Sequence, residues 1–150
     1  MRLTKTLRAV LTLFALLTAL PALGQKDLAV EEFFGDDSPL EGKIRTVYLS
    51  GANLDGRDMT LFRSILSTGS EDDVEEMGDA AEEDARKGNS VKRVVNGNTL
   101  MALYVQLPPA AGQKDNRFVL FRRLSETKAM LVYIEGPTTL DKIVNVKINK

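Results

Sequence analysis

The sequence predicts an α+β fold: a mainly antiparallel sheet of about six strands, in the order α-β-β-α-β-β-β-β-α, with helices packed on one face. Three observations carry this. Six short segments, some alternating apolar and polar residues and some apolar on both faces, are bounded by turn signals as strands are. One segment between the second and third of these changes to a helical period. The strands after it follow one another across turn signals too short for parallel crossovers, as an antiparallel meander requires.

Gln25 to Phe34 opens the order as a short amphipathic helix whose apolar residues are Leu28, Val30, Phe33 and Phe34, stopped by Gly35-Asp36-Asp37-Ser38-Pro39. Ile44 to Ser50 alternates, with Val47 and Leu49 on one face and Tyr48 on the other. Gly51 to Asp58 is a loop. Met59 to Ser67 has apolar residues on both faces, Leu61 and Ile65 against Phe62 and Leu66, which suits an interior strand. Residues 70 to 87 are the clearest helix. The Ser70 hydroxyl can accept a free backbone N–H, acids fill the first turn, and Val74, Met77, Ala81 and Ala85 make one narrow apolar stripe. Gly88-Asn89 offers a left-handed residue to close it. Gly78 inside it costs about 1 kcal/mol relative to Ala unless close packing uses the missing side chain.

Val91 to Val95 and Asn98 to Leu107 flank Asn96-Gly97, a hairpin signal in which both turn residues tolerate positive φ. Arg117 to Leu124 and Ala129 to Glu135 flank a second turn, and Gly136-Pro137-Thr138 starts a short final helix carrying Leu140, Ile143 and Val144. No internal repeat and no linker interrupts this order, so residues 25–150 read as a single α+β domain.

Residues 1–24 read as a signal peptide. Arg2, Lys5 and Arg8 precede an apolar run from Ala9 to Leu20, which as a helix rises about 18 Å against a hydrocarbon core of about 30 Å. Pro21 ends the run, and small residues at Ala22 and Gly24 place the cut between Gly24 and Gln25. The expectation is a periplasmic or secreted product with no stable membrane anchor after cleavage. The chain left by that cut carries a net charge of −4. From Gln25 to Asp84 there are 17 acids and 5 bases; from Ala85 to Lys150 there are 4 acids and 12 bases. The two halves are expected to face each other within the fold rather than to form a bipolar surface. No basic stripe with interleaved aromatics is present, so no nucleic-acid partner is expected.

The chain has no Cys, His or Trp, which removes thiol nucleophiles, histidine bases, Cys/His zinc sites and disulfides. Nine of the fourteen residues from Glu71 to Asp84 are acids, and Glu75, Asp79 and Glu82 or Glu83 share a helix face. A straight helix cannot wrap a calcium ion alone, and the acids are read as a solvated face. Asn53-Leu54-Asp55-Gly56 matches the middle of an EF-hand loop, but Gly51 and Phe62 stand where its first and last ligands belong. Ser64 has no nucleophile-turn context. A carboxylate pair such as Glu135 and Asp141 is the one candidate for glycoside hydrolysis.

Leu61-Phe62-Arg63-Ser64, Asn116-Arg117-Phe118 continuing to Phe121-Arg122, and Tyr133-Ile134-Glu135-Gly136 before a short terminal helix resemble, in order and spacing, a family of small secreted proteins of unknown function from Gram-negative gut anaerobes. Gln25 directly after the cut is similar to exported proteins of that group. The resemblance covers residues 25 to 148 and implies an exported α+β domain. It carries no activity, and the acidic, Ala-rich helix departs from it.

Arg122 and Arg123 are adjacent in a strand and must point to opposite faces, so one of them meets a helix and needs a carboxylate. The candidate interaction patch is Arg63, Arg117, Arg122, Arg123, Tyr133 and Glu135, with no catalytic residue, cofactor or metal site assigned. The expected function is a non-catalytic binding or accessory module of the bacterial cell envelope, with a protein partner and an unassigned oligomeric state. The alternatives are a carboxylate-dependent glycan hydrolase and a small-ligand or calcium-binding periplasmic protein.

Overall fold

The structure, a computed structural model, describes residues 27–54 and 58–148. The expected signal peptide and its cut, Gln25, and part of the Asn53–Gly56 loop lie outside the described residues. Six strands form one antiparallel sheet: β1 (Lys43–Ser50), β2 (Leu61–Thr68), β3 (Ser90–Asn96), β4 (Thr99–Leu107), β5 (Asn116–Ser125) and β6 (Lys128–Gly136). Their order across the sheet is β1-β2-β6-β5-β4-β3. The β1–β2 hairpin joins the meander through β2 and β6, with Ile65 opposite Leu131. This makes β2 the interior strand that its two apolar faces imply. The helices are α1 (Glu71–Ala85) and α2 (Leu140–Ile148).

Register assigns each strand residue to a face. The first face carries Ile65, Leu103, Val105, Leu107, Val119, Phe121, Leu131 and Tyr133, all buried under α1 and the segment before β1. The expected stripe of α1 is the one that packs there: Val74, Met77, Ala81 and Ala85 are all buried. Ser70 accepts the Asp73 backbone N–H, as expected. Gly78 lies against Phe121, whose ring would stand 3.3 Å from an added Cβ, so its missing side chain is what lets helix and sheet approach.

Four local expectations are corrected. The first helix is a single 3₁₀ turn, Ala29–Phe33, with Val30 and Phe33 buried. The extended backbone of Leu28 on one side and the bend at Gly35 on the other confine it to five residues, too short for a stable α-helix. The hairpin between β3 and β4 turns on Gly97-Asn98, because Asn96 already pairs with Thr99. Only Gly97 has positive φ, which is the signature of a type II′ turn. Neither Gly88 nor Asn89 is left-handed. Gly88 is instead a close-approach site, where a Cβ would stand 2.8 Å from the Val105 side chain.

The fourth concerns the helices, which do not share a face. Leu140 of α2 is buried with Phe118, Leu120, Val132 and Ile134 on the second face, and Ile143 and Val144 pack against them. The Leu140 N–H donates to Gln106 Oε1 at 2.9 Å, and the Asn116 side-chain amide donates to the Thr138 carbonyl. Both bonds fix the start of α2 on the side opposite α1.

The acidic helix also fastens the chain that precedes β1. Asp73 accepts the N–H groups of Glu41 (3.0 Å) and Gly42 (2.7 Å) and the Ser67 hydroxyl. Asp84 accepts those of Ala29 (2.7 Å) and Val30 (3.1 Å). The two carboxylates are buried and occupy the apolar-stripe register about three turns apart. Burial pushes the Asp73 carboxyl up, but the N–H groups of Glu41 and Gly42 and the hydroxyls of Ser67 and Ser70 outweigh it, so the group lies below the ordinary aspartate range. At Asp84 burial wins over the two N–H donors and the group is raised. The helix dipole acts in the same sense at each end.

The pH consequences are opposite. Asp73 contributes stability that is present above its unfolded value of about 3.9 and is lost as pH falls through its folded value. The Asp84 contribution is fully present below about 3.9 and is lost as pH rises through its folded value. Wild type is therefore expected to lose thermal stability relative to Asp84→Asn as pH rises from about 4 to 7. A difference in Tm that stays constant across that range would contradict the assignment.

Candidate functional site

The structure does not gather the six patch residues onto one surface. Arg63, Arg117, Arg123, Tyr133 and Glu135 share the first face by register. There they are engaged within the fold. The Arg117 guanidinium is buried, pairs with Asp27 at 2.7 Å and donates to the Pro108 carbonyl. Its hydrogen bond to Asp27 holds that carboxyl below the ordinary range. Arg123 donates to Glu75 of α1 at 2.7 Å and to the Leu100 carbonyl. Arg63 lies over the rings of Phe34 and Tyr48 and donates to the Phe34 carbonyl. Tyr133 is fully buried and donates its hydroxyl to Glu135 at 2.7 Å; burial and that carboxylate push the phenol far up.

These contacts answer the charge asymmetry. Three of the four ion pairs among the described residues join an acid of the first half to a base of the second: Asp27–Arg117, Glu75–Arg123 and Glu82–Arg93. Glu82 is held below its ordinary range by the Arg93 hydrogen bond. The acidic and basic segments face each other across the first face.

Arg122 points the other way. Its neighbours along the second face are Met130 on β6 and Ala102 on β4, continuing to Leu66 and Arg45 at one end and Val94 at the other. The next row reads Val47, Ser64, Val132, Leu120, Tyr104 and Lys92, and the one beyond it Leu49, Phe62, Ile134, Phe118 and Gln106. The last row is covered at its β5–β4 end by Leu140 of α2. The remainder is only partly covered: Val47 is 42% exposed and Val94 51%, Leu49 and Leu66 are half-buried, and Phe62 and Met130 are half-buried at the margin of the Leu140 cluster. A face that keeps apolar side chains partly in water along its length is a candidate contact surface.

Residues 17–147 match the family of unknown function DUF6108. The chain belongs to that family. The match takes in every strand, α1 and nearly all of α2, so in this DUF6108 chain the open face is part of the family's shared domain. No curated protein and no solved structure matches the chain.

The charge on the open face is of one sign. Its strand positions carry Lys43, Arg45, Lys92, Arg122 and Lys128 and no acid. Lys92 is paired with Asp141 of α2, which leaves Arg45 and Arg122 facing solvent within the apolar row and Lys43 and Lys128 exposed beside it. Glu135 and Asp141 lie on opposite faces of the sheet, Glu135 beside Tyr133 and Asp141 beside Lys92, so they cannot flank one glycosidic bond. Among the described residues no group of three or more His, Cys, Asp or Glu side chains is placed to hold a metal ion, and no helix is long and apolar enough to cross a membrane.

Sequence reasoning separated Arg122 from Arg123 but missed Arg45, Leu66 and Met130 as companions of Arg122. Alternation shows which residues of one strand share a face. The alignment of strands that builds a row is long-range information.

Proposed function

We propose that this chain is an exported, non-catalytic binding or accessory module of a bacterial cell envelope, holding a protein partner against the open second face of its sheet. Export is supported by the basic start, short apolar run and small residues before Gln25, and by the resemblance to secreted proteins of Gram-negative gut anaerobes. The observation that carries the binding role is the run of Val47, Leu49, Phe62, Leu66 and Met130 between the β1 edge and α2, of which Val47 is exposed and the rest only half-buried. A partner laid over this run would bury the apolar surface that is still exposed, at about 25 cal/mol per Å². The partner surface that fits is an apolar centre flanked by carboxylates, since this face offers only cations around its apolar rows.

The test is crosslinking and co-purification of the tagged protein from its native envelope, comparing wild type with Val47→Glu and Leu66→Glu. The reading predicts a specific partner that both substitutions lose, while Asp79→Lys on the exposed side of α1 retains it.

A further inference from the structure

We infer that the second face holds, beside α2, a binding site for an aliphatic carboxylate, with Arg122 receiving its head group. The site is a half-open groove of about 500 Å³ between α2 and strands β3 to β5. Ile143 and Val144 form its helical wall, Ala102, Tyr104 and Leu120 its floor, and Val94 its outer rim. Pockets that take small organic ligands span about 300–1,000 Å³ and are mostly apolar with a few polar groups that orient the ligand.

The polar groups here are few and of one sign. No carboxylate lines the groove. Arg123 reaches its edge, but that guanidinium is committed to Glu75 and the Leu100 carbonyl on the other face. Arg122 is exposed and makes no hydrogen bond or ion pair among the described residues. A guanidinium presents two parallel N–H donors that match the two oxygens of one carboxylate. A phosphate dianion would call for a second cation in the groove, and the other cations of this face, Lys128 beside Met130 and Arg45 at the far end of the row, do not line it. An aliphatic chain laid over Leu120 and Ala102 would exclude water from the pair and strengthen it.

The groove lies toward β3 and α2, whereas the protein contact proposed above lies over β1, β2 and β6, so either assignment can fail alone. The test is an NMR titration of the exported protein with dodecanoate, kept below its critical micelle concentration, with dodecanol as the chain-matched neutral probe. The expected result is saturable binding of one dodecanoate per chain, with shifts confined to Ala102, Tyr104, Leu120, Ile143 and Val144. Arg122→Met is expected to weaken binding at least about tenfold, and dodecanol to bind wild type at least about tenfold more weakly than dodecanoate. Absence of saturable binding, shifts centred elsewhere, or equal binding of dodecanol would each overturn the inference. The dodecanol comparison needs no variant, so it stands even if Arg122→Met folds poorly.

Discussion

Asp73→Ala is expected to destabilise the protein by roughly 2–4 kcal/mol, because it strips an acceptor from two backbone N–H groups and a buried hydroxyl at once. The Asp73 carboxylate is the only side-chain partner shown for the N–H groups of Glu41 and Gly42, which carry the chain into the edge strand β1. It also accepts the Ser67 hydroxyl, which is buried in β2. Losing a partner leaves each buried donor with its desolvation cost of about 1–3 kcal/mol, reduced where water can reach it. Asp73→Asn keeps one oxygen acceptor and is expected to fall between wild type and Asp73→Ala. Urea unfolding measures this directly, and a loss under about 1 kcal/mol for Asp73→Ala would mean that the clamp adds little. The same substitution is expected to remove the acid-side loss of stability attributed to Asp73, since its depressed pKa favours the folded state only while the group is ionised.

Gly136→Ala carries the other large effect. A Cβ at Gly136 would stand 2.4 Å from the Asp58 carbonyl oxygen and 2.8 Å from the Met59 Cα. Both are backbone atoms, so no side-chain rotation relieves the clash. The end of β6 and the entry to β2 must separate there, with loss of the bond from the Thr60 N–H to the Glu135 carbonyl. The expected cost is about 3 kcal/mol or more, the upper range for overpacking. Gly35→Ala is the control, because its nearest neighbour to an added Cβ is 3.9 Å away, and it is expected to be close to neutral. Equal Tm values for the two variants would contradict the close approach at Gly136.

Much of the fold was legible locally, and the reasons are specific. Short alternating or doubly apolar runs between turn signals mark the six strands, the Ser70 cap and the Val74–Met77–Ala81–Ala85 stripe mark α1, and Gly97 marks the hairpin. The face chosen by α2 was not legible. Leu140, Ile143 and Val144 would suit either side of the sheet, and the side is decided by the Gln106 and Asn116 contacts with the start of the helix. The roles of Asp73 and Asp84 were hidden within a run of nine acids, although both fall on the apolar stripe, where a solvated acid has no place.

The candidate site was legible only in part. The alternation of Arg122 and Arg123 required one of them to meet a carboxylate, and Arg123 meets Glu75. That Arg63, Arg117, Tyr133 and Glu135 would fall on the covered side with Arg123 followed from register across three strands. Positional parity within a strand is local, whereas parity between strands is set by which residues pair, and no single segment encodes that.

The proposed function puts the binding surface on the second face and not on the acidic outer side of α1. The most direct measurement is the native-envelope crosslinking comparison of Leu66→Glu with Asp79→Lys, each first shown to unfold cooperatively near the wild-type Tm. Leu66→Glu is expected to lose the partner and Asp79→Lys to keep it. A partner retained by Leu66→Glu and lost by Asp79→Lys would contradict it and move the binding surface to the acidic helix.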